Sequence, residues 1–196
     1  VRLDYGLLAP QKFIMKVIKM DLWFTSDTHF GHKNIIEYCN RPFKSLEEMD
    51  TKLIRYWNER VKKGDMVIFL GDFCFRNSST ERGEGTKHKW EYYREQLNGE
   101  IVFIQGNHDG NNSLPTKIKS LVIEYGKKEY FCTHKPIDNN TNYAINLVGH
   151  VHNDWKVKKI AGAHNSIIVN VGVDVWNYRP VKIEEILKRI KGGLNE

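Results

Sequence analysis

Apolar residues gather in short unbroken runs along this chain, and most runs stop abruptly at small polar residues. Residues 15–24 predict a first strand that breaks at Thr25, Ser26 and Asp27. Residues 66–70 (MVIFL) and 101–104 (IVFI) have the length and branching of buried strands. Residues 121–125 and 128–133 predict a hairpin around Gly126, and residues 145–148 and 167–173 predict two further strands. Helical spacing occurs elsewhere. Residues 34–39 predict a short helix, and Arg41-Pro42-Phe43 then turns the chain, because proline fixes its own φ and restricts its predecessor. Ser45 opens a capping box with Glu48. Leu46, Met49, Leu53, Ile54, Trp57 and Val61 follow at one-face helical spacing until Lys62-Lys63-Gly64. Residues 90–97 predict a further helix, and residues 183–190 a closing one before Gly192 and Gly193. Residues 76–87 are polar and glycine-bearing and predict a loop. Helices and strands alternate early and strands dominate later, which implies an α/β or α+β fold with layered sheets.

Composition narrows this picture. With 196 residues, 40% hydrophobic and 28% charged, the chain has globular composition, which excludes disorder, collagen and coiled coil. No run reaches about 18 apolar residues, so no transmembrane helix is expected. Residues 1–14 lack the pattern of a secretory signal. They read either as a non-native or upstream extension or as an added edge strand or packing arm, and residues 15–196 as a single domain. The formal charge of +6 suits either a lysine-rich solvated surface or phosphate-bearing partners. Three cysteines, Cys39, Cys74 and Cys132, with no CxxC pair, argue against a disulfide framework and for a reduced, cytoplasmic setting.

The chemistry lies where the runs stop. Five of them end in Asp27-Thr28-His29, Gly71-Asp72, Gly106-Asn107-His108-Asp109, Thr133-His134 and Gly149-His150-Val151-His152. Sheets of this class place their sites beyond the carboxyl ends of strands. Asp27 with His29, and His150 with His152, stand two apart, so each pair shares one face of an extended segment. Carboxylate, amide oxygen and imidazole without thiolate suit manganese, iron, zinc or nickel. Seven such donors exceed one tetrahedral zinc and fit two metals sharing a carboxylate.

The series DTH, GD, GNHD, TH and GHVH resembles the calcineurin-like metallophosphoesterase superfamily. The longer string SDTHFGHKNII with the following RPF resembles a small subgroup of uncharacterised prokaryotic and phage phosphoesterases, over about residues 21–180. The resemblance implies a four-layer sandwich of two mixed β-sheets flanked by helices, with two divalent metals, manganese first among them, at one end. It implies that Asp27, His29, Asp72 and His152 hold one metal. It implies that Asp72, Asn107, His134 and His150 hold the other, with Asp72 bridging and His108 catalytic. Related protein phosphatases carry an aspartate three residues after the bridging one, which supports the catalytic histidine. Here that position is Phe75, so another group must orient His108 and a protein phosphatase is not expected. Asp109, next in the chain, is a poor candidate for that task, because adjacent side chains diverge.

The implied reaction is attack of a dimetal-bound hydroxide on phosphorus, with His108 as general acid to the departing alkoxide. Arg76, four residues after Asp72, reads either as a phosphate clamp or as a surface arginine. His32, before the short helix, reads as a phosphate contact or as a capping or packing residue. Trp155, Trp176 and Tyr178 read as site walls that stack a base or as core. The short intervals between blocks leave no room for a cap domain, so the site should be open. That favours a phosphodiesterase acting on a nucleotide or nucleic acid. A phosphomonoesterase or nucleotidase is the alternative enzyme, and an idle scaffold of the same fold the alternative from another class. A dedicated nucleic-acid-binding module is weaker, since no basic stripe or zinc-finger signature is present. No membrane partner is expected, and the oligomeric state is open.

Overall fold

The computed structural model describes residues 20–75, 88–111, 114–160 and 165–192. Expectations that fall on residues 1–19 and on the loop at 76–87 with Arg76 lie outside the described residues. Strands β1 (Leu22–Thr25), β2 (Met66–Phe69) and β3 (Glu100–Phe103) pair in parallel, and β9 (Val181–Lys182) joins β1 antiparallel. A second sheet runs β4-β5-β6-β8-β7, with β4 (Ser120–Tyr125), β5 (Lys128–Thr133), β6 (Ile145–Val148), β7 (Val157–Lys159) and β8 (Ile167–Asn170). Its β5, β6 and β8 are parallel, while β4 and β7 pair antiparallel at the two edges. Both sheets are therefore mixed, and the fold is α/β.

Alternation along the first sheet builds two cores, since successive strand residues face opposite sides. Trp23, Val67, Phe69 and Ile101 face one way, onto helices α1 (Ile35–Tyr38), α2 (Leu46–Arg60) and α3 (Trp90–Arg94). Phe24, Ile68, Leu70 and Ile104 face the other way and meet Tyr130, Cys132, Leu147 and Val169 of the second sheet. Helix α4 (Ile183–Gly192) adds Ile183, Ile186 and Ile190 to that inter-sheet core.

Local chemistry explains where elements begin and end. The Ser45 hydroxyl accepts from the Glu48 N–H at 3.1 Å, as the capping box predicts, but the Glu48 carboxylate reaches the Lys44 N–H at 2.6 Å rather than that of Ser45. The hairpin turns through Gly126 and Lys127, both at positive φ, which matches the twist of the strands they join. Helix α3 ends at Arg94, three residues short of the predicted end. Gln96 and Leu97 donate only three residues back, and the Arg94 guanidinium takes the Leu97 and Gly99 carbonyls. Strands β7 and β9 were not predicted, because three and two residues carry no readable alternation. No helix among the described residues is long and apolar enough to cross a membrane.

Trp57 anchors α2 to the sheet. Its ring packs 6.3 Å from that of Phe69 and its indole N–H donates to the Asn98 carbonyl at 2.9 Å. Trp57→Ala is expected to cost roughly 3–5 kcal/mol, read from denaturant unfolding at an unchanged m-value.

Candidate metal centre

Beyond the ends of β1, β2 and β3 the parallel pairing continues as a backbone ladder. Asp27 N–H donates to Gly71 C=O at 3.0 Å, His29 to Asp72 at 3.1 Å and Phe30 to Phe73 at 3.0 Å. The second sheet joins at the same end, where Ser26 bridges Gly172 and the Gly149 N–H donates to the His134 carbonyl at 2.9 Å. The turns are tight because the site residues make them. Asp27, His29, Asp72, His150 and His152 all hold φ between 45° and 71°. Such conformations cost free energy in a residue with a Cβ and persist only where surrounding structure fixes them. Asp and His are among the side chains that adopt them least unwillingly. Gly71, at φ 91°, and Gly106 let two loops touch: a Cβ on Gly106 would collide with the Asp72 carboxylate and backbone.

This geometry gathers the predicted donors into two groups. Asp27, His29 and His152 place ligand atoms within 4.8 Å of one another, and so do Asp72, His134 and His150. Asp72 lies between the groups, with Oδ2 3.7 Å from His29 Nε2 and 3.3 Å from His134 Nε2. Asn107 Oδ1 lies 3.0 Å from His134 Nε2. All seven predicted donors thus converge. His108 stands beside them: its backbone N–H donates to Asp72 Oδ1 at 2.9 Å, and its ring is 5.6 Å from that of His29.

The donors fit cations. His134 Nδ1 faces the Leu70 carbonyl at 2.7 Å, an acceptor, so Nδ1 carries the proton. Nε2 faces Asp72 Oδ2 and Asn107 Oδ1, two acceptor oxygens that favour a proton or a cation at that position. Converging acceptors need a positive charge among them. Burial alone would depress the pKa of His134, yet hydrogen bonding to Asp72 and the charges of Asp27 and Asp72 raise it to about 9. The same field is offered to a metal ion. In the other group, Asp27 Oδ1 and both ring nitrogens of His29 are buried without a hydrogen-bond partner among the described residues. Burial pushes the Asp27 carboxyl up and holds His29 well below the usual imidazole range, so burial disfavours the charged form of each and a cation between them would offset that cost.

Three residues that organise the centre were not predicted as part of it. Asp174 Oδ2 lies 2.9 Å from His152 Nδ1, which fixes the ring and leaves Nε2 free. Burial opposes the charge on His152, but that bond carries its pKa up to about 10. Arg41 grips Asp174 with two hydrogen bonds, of 2.8 and 3.0 Å, and donates to the Thr28 and Asp27 carbonyls. Asp109, the third, is fully buried and accepts from the N–H groups of Asp72, Phe73 and Gly106 at 2.8–3.0 Å. Its carboxylate is spent on the backbone, so it does not orient His108. Arg41 reads from sequence only as a turn residue. The available signal for the pair is one arginine and one aspartate flanking strand-end motifs, 133 positions apart.

Of the remaining candidates, His32 borders the centre, with its ring centroid 5.5 Å from that of His29. His32 is 8% exposed and stacks on Phe75, with centroids 4.2 Å apart; its Nδ1 is buried without a hydrogen-bond partner among the described residues. Burial and the His108 charge lower its pKa to about 4. Trp176 packs against the inter-sheet core and Tyr178 against the helix-side core, so neither walls the site. Two cavities flank the donors. One of about 450 Å³ is lined by His29, His32, Tyr38, His108 and His152. The other, of about 440 Å³, lies on the Asn107 and His134 side.

The calcineurin-like phosphoesterase model matches residues 20–189. An uncharacterised protein of Methanocaldococcus jannaschii is 38% identical over 179 residues, covering 88% of this chain and 92% of that protein. The gene 66 protein of Mycobacterium phage L5 is 27% identical, covering 84% of this chain and 91% of its own. Among solved structures, a protein of unknown function from Aquifex aeolicus superposes with a TM-score of 0.64 at 23% identity, covering 86% of this chain and 98% of that one. That likeness reaches the fold, while the match to the family model spans nearly the whole described chain, donors included: this chain belongs to the calcineurin-like phosphoesterase family.

Proposed function

We propose that this protein is a metal-dependent phosphoesterase that hydrolyses phosphodiesters, with a nucleotide or nucleic acid as substrate and His108 as general acid. The observation that carries this reading is the convergence of the two donor groups on Asp72. Asp27, His29, Asp72 and His152 would hold one divalent ion, and Asp72, Asn107, His134 and His150 the other. Mixed imidazole, carboxylate and amide donors favour manganese, with iron, zinc or nickel as alternatives. Such ions, when bound, acidify water and neutralise phosphoryl charge.

The residues of the chain do the rest. Asp174 and Leu70 orient His152 and His134, so that both rings present Nε2 to the centre. His108 lines the cavity beside His29 and holds a proton for the departing alkoxide, a service worth about 10²–10⁴-fold. Phe75 stands edge-on 6.0 Å from the His108 ring, where a carboxylate would accept a hydrogen bond and a phenyl ring does not. Cavities on both sides of the donors support a diester, whose phosphorus carries an ester arm in each direction. The intact donor set works against the idle-scaffold reading. Cys39, Cys74 and Cys132 are buried and form no disulfide among the described residues, which supports a reducing, cytoplasmic setting.

The decisive assay is the initial rate on bis-(p-nitrophenyl) phosphate with Mn²⁺ and with chelator. A Mn²⁺-dependent rate abolished by chelator is expected. No rate here or on p-nitrophenyl phosphate defeats the proposal, and a rate on the monoester alone replaces diester by monoester. For His108→Ala we expect a loss of about 10²-fold or more on alkyl leaving groups and a much smaller one on nitrophenolate. Equal losses on both would remove the general-acid role. Asp174→Ala is expected to weaken Mn²⁺ binding by about 10–100-fold in calorimetry, because His152 loses the partner that fixes its ring.

A further inference from the structure

The cavity beside Asn107 and His134 has a chemistry that the reaction itself does not require. Its wall carries Lys119 and Lys135. Lys119 precedes β4 and Lys135 follows shortly after β5, and the pairing of Ser120 with Thr133 brings both to the end of the sheet that bears His134. Among the described residues, neither lysine is held in an ion pair. Gln105 and Ser120 add neutral donors, and among the described residues exposed Asp138 is the one carboxylate on the wall, so the balance there is positive. The opposite cavity is different. Among the described residues its lining is imidazole-rich, with Tyr38 at its edge, and holds no lysine or arginine.

We propose that the Lys119–Lys135 cavity receives an ester arm bearing a second phosphoryl group, so that the preferred substrate is a phosphodiester with another phosphate on that side. A phosphoryl group presents several strong acceptor oxygens and needs several donors, which two ammonium groups with the Gln105 amide and Ser120 hydroxyl supply. The cavity's size lies in the range of small-molecule sites. The inference deepens the diesterase reading and rests on it, and its test is arranged so that the two fail separately.

The probes are thymidine 5′-(p-nitrophenyl phosphate) with and without a 3′-phosphate, assayed with Mn²⁺. We expect kcat/KM to be about tenfold or more higher for the 3′-phosphorylated probe, the worth of one or two charge-assisted hydrogen bonds. In Lys119→Ala/Lys135→Ala that ratio should fall to near one, and in the single Lys119→Ala variant to an intermediate value. Equal kcat/KM for the two probes in the unmodified protein, or a ratio retained in the double variant, overturns the inference. If bis-(p-nitrophenyl) phosphate is not hydrolysed at all, the diesterase reading fails instead. The cavity is then tested by calorimetry with thymidine 3′,5′-bisphosphate against thymidine 5′-monophosphate. About tenfold tighter binding of the bisphosphate, lost in the double variant, supports it; equal binding overturns it.

Discussion

The buried carboxylate of Asp109 is the interaction on which the arrangement of the centre depends. It takes the N–H groups of Asp72, Phe73 and Gly106, and so ties the ends of β2 and β3 together. Burial still raises its pKa, so those donors do not fully compensate its removal from water. What the tie secures is the contact of Gly106 with the Asp72 carboxylate. From it follow the position of Asp72 and the hydrogen bond that sets the His108 backbone. Arg41 does the corresponding work across the centre, joining the Asp27 and Thr28 carbonyls to Asp174 and through it to His152.

These ties oppose a real tendency to spread. The donors crowd acceptor atoms together, and five of them sit on left-handed backbone. Neither condition is favourable on its own. Both are imposed by the two apolar cores, which fix the chain close to the donors: Phe24 and Leu70 between the sheets, Phe69 and Phe73 on the helix side. The site is thus organised by packing rather than by the ligand it attracts, which is the condition for binding charge without reorganisation.

Much of this is legible in the chain itself, for identifiable reasons. The strand runs ending in Asp27, Asp72 and Asn107 are long enough to show burial, and their terminators are chemically alike. The donor set is readable because each member sits beside a run. Strands β7 and β9 are too short to carry a pattern, and they form because β8 and β1 offer them open edges. Arg41 and Asp174 escape notice because their meaning lies in a contact across the whole fold. Asp109 stands inside a recognised motif, yet the direction of its side chain is a tertiary fact. Trp176 and Tyr178 show the converse: aromatic residues close to donors in sequence, absorbed by the cores.

The backbone ladder from Asp27 to Phe75 also limits how this protein could diversify. Each rung pairs a donor residue or its neighbour with the facing loop, and the last runs from Phe75 back to the Phe30 carbonyl at 2.7 Å. An inserted residue anywhere within it would shift donors out of register, as a slip does in any sheet. Deletions are barred for the same reason. New specificity in descendants of this chain must therefore arise by substitution on the cavity walls or by lengthening segments outside the ladder, leaving the spacing of the central motifs fixed while their surroundings drift.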